Sequence, residues 1–116
     1  MTDSSEISVA ARRQLDAEER VLVPAICLWE IAMLVQKGRF QVDRPVQDFL
    51  RDGLAWNGVE LFPLTPAVAA RSGALGAAMH GDPADRLIAA TALELSVPLV
   101  TRDARLTGLA GLRTIW

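Results

Sequence analysis

Residues 80–103, HGDPADRLIAATALELSVPLVTRD, read as helix, short turn, strand and acid. Asp82 and Asp85 open the helix, and Asp103 stands just past the strand. A parallel strand delivers its carboxyl end to the mouth of an open α/β sheet, where such folds hold ligands. Acids gathered at that mouth point to a site for a hard divalent cation.

The rest of the chain alternates in the same way. Residues 6–19 are predicted helical, with Ser5 or Ser8 as cap and Val9, Leu15 and the alanines on one face. Val21–Val23 is a short apolar strand that Pro24 ends. A helix comes next over Ala25–Gln36, stopped by Gly38. Pro45 opens a third helix with Val46, Phe49, Leu50 and Leu54 on one face. Trp56-Asn57-Gly58 is a turn into a second strand, Val59–Phe62. Thr65-Pro66 and Asp82-Pro83 share one grammar, an N-cap followed by a first-turn proline. The first starts a helix that fades near Gly76, and the second a helix through Leu95. Val97–Thr101 reads as a strand covered on both faces, and Leu112–Ile115 as a last short strand. Strands separated by helices make βαβ units and a mainly parallel sheet. No repeat or linker divides residues 1–116, so one domain is expected.

Bulk properties narrow the function classes. With 116 residues, 51% of them hydrophobic, the chain builds a core and is not disordered. No apolar run reaches the roughly 18 residues of a membrane span. MTDSSEIS lacks the regions of a signal peptide. Cys27, the single cysteine, is read as a buried thiol, and a cytoplasmic protein fits. A net charge of −2 gives no global nucleic-acid signature, so RNA binding needs a local patch.

Among the acids, Glu30 lies in ICLWEIAMLV and shares a helical stripe with Ile26, Met33 and Leu34. A carboxylate there is costly unless paired, metal-bound or at the stripe's wet edge. Asp82 also reads as a helix cap, Asp85 as an acid complementing the helix dipole, and Asp103 as a turn aspartate. Clustered carboxylates repel one another, and a divalent cation offsets that repulsion. Mg²⁺ favours such oxygens and serves phosphate chemistry. His80 is read as a loop or capping residue, and Trp29 and Trp116 as packing residues. Arg86, Arg102 and Arg105 lie near the proposed mouth, either on RNA phosphates or in solvent.

Four stretches resemble one known family: PAICLWEIAMLVQKGRF (24–40), FPLTPAVAA (62–70), HGDPADRLIAATA (80–92) and PLVTRD (98–103). They are similar to the PIN-domain ribonucleases, and within them to the VapC-type toxins of bacterial toxin–antitoxin pairs. The resemblance implies an α/β/α sandwich and Mg²⁺- or Mn²⁺-dependent cleavage of single-stranded RNA. It implies Glu30, Asp85 and Asp103 as three of four metal-site acids, Thr101 as a supporting hydroxyl, and Asp82 as an auxiliary acid or only the cap. It also implies a small antitoxin and a homodimer.

The family opens with a strand reading apolar-apolar-Asp-Thr/Ser, which this sequence does not contain. MTDSSEISVAARRQL matches the family's segment after that strand and its turn, so a first central strand is expected to be missing and the domain N-terminally truncated. The slot between Val21–Val23 and Val97–Thr101 is then expected to be empty, filled by another chain, or entered by N-terminal residues.

Two other classes compete. A phosphoacceptor signalling domain needs a strand-end lysine, whereas Lys37, the single lysine, ends a helix. A catalytically impaired truncated PIN domain would act only in dimerisation and antitoxin binding.

Overall fold

The computed structural model describes residues 8–17, 20–75, 82–101, 106, 109 and 111–115. The chain divides into two compact units, a middle unit of Glu19–Leu64 and a terminal unit of Met1–Glu18 with Thr65–Trp116. The fold is α/β. Its described strands form two separate two-stranded parallel sheets.

In the middle unit, strand β1 (Val21–Pro24) leads directly into helix α2 (Ala25–Gln36). Pro24 both ends the strand and stands at the helix N-cap. The helix stops as the sequence predicts: Gly38 takes φ 71°, a left-handed value at little cost for a residue without Cβ. Helix α3 (Val46–Leu54) comes next, and strand β2 (Val59–Phe62) pairs with β1 in register from Val21–Val59 to Pro24–Phe62. Pro45 is the N-cap of α3 rather than its first residue.

The apolar stripe of α3 is the strongest amphipathic signal in this unit. Val46, Phe49, Leu50 and Leu54 are half-buried while Gln47, Arg51 and Asp52 are exposed. Phe40 meets Phe49 edge-on at 5.8 Å, which fastens the connection before α3 to that stripe. Arg44 bonds Asp43 at 2.8 Å and Asp52 at 2.7 Å, and Asp43 is held below its ordinary carboxylate pKa by that guanidinium. The pairs are exposed and contribute little stability.

In the terminal unit, helix α1 (Val9–Ala17) is capped by Ser8, whose hydroxyl accepts from the Ala11 N–H at 3.0 Å. Helices α4 (Pro66–Ala74) and α5 (Pro83–Leu95) begin as their Thr-Pro and Asp-Pro pairs dictate. Thr65 accepts from Val68 N–H at 3.2 Å and Asp82 from Ala84 N–H at 2.9 Å. The two helices pack together, with Arg71 and Glu94 joined at 2.8 Å. Small residues let α5 sit deep: Ala84, Ala89, Ala90, Thr91 and Ala92 are buried. The Thr91 hydroxyl is satisfied by donating to Leu87 C=O at 2.7 Å. Ala89, Ala92, Leu106 and Leu112 form the core cluster, with Leu75, Leu93, Leu99 and Leu109 packed around it.

Strand β3 (Leu99–Val100) pairs with β4 (Thr114–Ile115), both shorter than the sequence predicts. Ser96 ends α5 in the left-handed region at φ 55°, and Pro98 has no N–H to give a ladder. Pairing therefore starts at Leu99, whose N–H donates to Arg113 C=O at 2.8 Å, and continues to Thr101 N–H on Ile115 C=O at 3.0 Å. Leu112 joins the core instead of the ladder, its N–H turned back to Leu109 C=O at 3.2 Å. Val97 is exposed and β3 half-buried, so the expectation of a strand covered on both faces does not hold for the described residues.

The expected slot between Val21–Val23 and Val97–Thr101 concerns strands β1 and β3, which belong to different units. Residues 1–7, named as one possible occupant, lie outside the described residues. No helix among the described residues is long and apolar enough to cross a membrane.

Candidate metal centre

Helix α5 fixes the first two acids. Asp82 is its N-cap, with Pro83 and Ala84 as the first two helical residues. Asp85 is then the third, an acid in the first turn where exposed N–H groups and the helix dipole favour negative charge. Its N–H donates to Asp82 C=O at 3.0 Å, so the two residues are locked in one turn. Asp85 is half-buried and Asp82 exposed. One oxygen of Asp82 is committed to the cap, which makes the capping reading of that residue a structural fact.

Arg86 is the next residue of the same turn. It is half-buried, and its Nε is shielded from solvent. The sequence offered a solvated surface role for it, but Arg86 shares a helical stripe with Ala89 and Ala90, both fully buried. That alanine stripe was the signal that could have placed it. Thr101 is half-buried at the end of the β3 ladder, with its backbone pinned to Ile115. Asp103, Arg102 and Arg105 lie outside the described residues, as do His80 and Trp116.

Glu30 belongs to the middle unit. It is half-buried on α2, with Oε1 shielded from water, directly before the buried Ile31. Trp29 beside it is 51% exposed, so the packing role expected of that residue does not hold. One turn earlier is Cys27. Burial pushes its thiol up from 9.0 to about 11, and the Glu30 carboxylate adds to the rise. The thiol therefore stays protonated at neutral pH. Alkylation of the folded protein at pH 8 is expected to run about 100-fold slower than for a thiol at its ordinary pKa, measured by mass after iodoacetamide. Stability that is intact below pH 9.0 should fall away as the pH rises towards about 11, because the unfolded thiol ionises first. Alkylation as fast as a free thiol would contradict this placement of Cys27.

No group of three or more His, Cys, Asp or Glu able to hold a metal occurs among the described residues. The predicted set includes Asp103, outside that range. The donor chemistry itself suits a hard cation, since every predicted ligand is a carboxylate. Asp85 and Glu30 are both half-buried, and the Oε1 of Glu30 is shielded from water.

A family model described as the PIN domain matches residues 1–112. The chain belongs to the PIN-domain family. Within that family it is similar to Ribonuclease VapC22 of Mycobacterium tuberculosis (strain ATCC 25618 / H37Rv), with 40% identity over 104 residues, 90% of this chain and 78% of that protein. This makes it a VapC-type PIN domain. A solved structure, VapBC2 from Rickettsia felis bound to a DNA fragment from their promoter, matches with a TM-score of 0.66. It covers 88% of this chain and 78% of the other at 20% identity, a likeness of fold. The α/β fold of this PIN domain agrees with the sequence expectation.

Proposed function

We propose that this PIN domain is a metal-dependent endoribonuclease toxin that cleaves single-stranded RNA by phosphodiester hydrolysis. The observation that carries the reading is the 40% identity to a VapC ribonuclease over nearly the whole chain. The acidic first turn of α5 and the half-buried Glu30 support it. On this reading residues 1–116 act as one domain in the cytoplasm, as a homodimer controlled by a small antitoxin.

Glu30, Asp85 and Asp103 would hold Mg²⁺ or Mn²⁺, with Asp82 as an auxiliary acid. Such an ion, when bound, activates water and polarises a phosphoryl oxygen. The chain's own part is positioning. The N-terminus of α5 fixes Asp85 through the Asp82 cap and the helix dipole. Thr101, tied to β4 through its backbone, offers a hydroxyl beside the strand end that leads to Asp103. Arg86, Arg102 and Arg105 supply planar guanidinium donors for RNA phosphates. An antitoxin arginine would occupy the acids with the same fork geometry, competing with the metal.

The test is cleavage of a single-stranded RNA by the purified protein as its gene encodes it, with Mg²⁺ or Mn²⁺, then with EDTA. Cleavage should stop in EDTA and return when metal is restored. Undiminished cleavage in EDTA would remove the metal from the account. No cleavage with either metal would favour the dimerisation and antitoxin-binding role.

A further inference from the structure

We draw no further inference here: the strongest candidate, the apolar groove of the middle unit lined by Leu28 and Ile31 of α2, Phe49 and Leu50 of α3, and Val23 and Val59 of the paired strands, carries nothing because nothing in the structure shows what covers it.

Discussion

Replacing Asp85 by Asn, Glu30 by Gln or Asp103 by Asn should each slow RNA cleavage by at least about 100-fold without unfolding the protein. The magnitude comes from the role proposed for them. Groups that merely support a metal ligand contribute roughly 10- to 100-fold, so a ligand itself should contribute no less. Each change keeps the size of the side chain and removes its charge. If these carboxylates crowd one site as proposed, losing one charge relieves their repulsion in the metal-free protein, so the melting temperature should hold or rise. Asp82→Asn is the informative contrast. Asparagine caps a helix as well as aspartate does, and the Ala84 N–H keeps an acceptor. An auxiliary acid already committed to the cap predicts a loss below about tenfold and an unchanged melt. Initial rates and thermal melts on the four variants decide the matter. Full-rate cleavage by Asp85→Asn would refute its role.

Leu106→Ala should destabilise the protein by about 2–5 kcal/mol. Leu106 is 3% exposed and joins Ala89, Ala92 and Leu112 in the core cluster of the terminal unit. The buried α5 members of that cluster are Ala89 and Ala92, and the half-buried Leu75, Leu93, Leu99 and Leu109 pack around it. How far those leucines relax into the vacated space sets where in that range the cost falls. Against a total of about 5–15 kcal/mol, this is a large fraction. A drop in melting temperature of roughly 10 °C or more is expected for a chain of this size. Leu106→Met, which conserves volume, should cost less than about 1.5 kcal/mol. Equal melts for Leu106→Ala and the parent would show that Leu106 does not hold the core.

Local chemistry made most of the fold legible. Thr65-Pro66 and Asp82-Pro83 set the starts of α4 and α5, and Pro24 with Gly38 bounded α2. These signals act within one turn of the residue that carries them, so they depend less on the rest of the fold. Strand limits were less legible. The run at 97–101 is apolar throughout, but pairing needs donors on the ladder side, and Pro98 and the left-handed Ser96 postpone it to Leu99. The exposure of Trp29 was not legible either, because the apolar run around it shows no polar side. Nor does any shift in composition mark Glu19–Leu64 as a compact unit, since its boundaries are set by long-range contacts.

The candidate site divides in the same way. The cap at Asp82 and the first-turn position of Asp85 were readable from sequence because both are local. The half-burial of Glu30 was readable from its apolar neighbours on α2. The shared purpose proposed for residues 30, 85 and 103 rests on the family resemblance, because the chain between them carries no periodic signal linking them.

That shared purpose is the central claim, and anomalous diffraction from crystals grown with Mn²⁺ tests it most directly. The account predicts an anomalous peak with carboxylate oxygens of Glu30, Asp85 and Asp103 around it, directly or through bound water. Manganese bound elsewhere, or bound with Glu30 outside its coordination sphere and water shell, would contradict it.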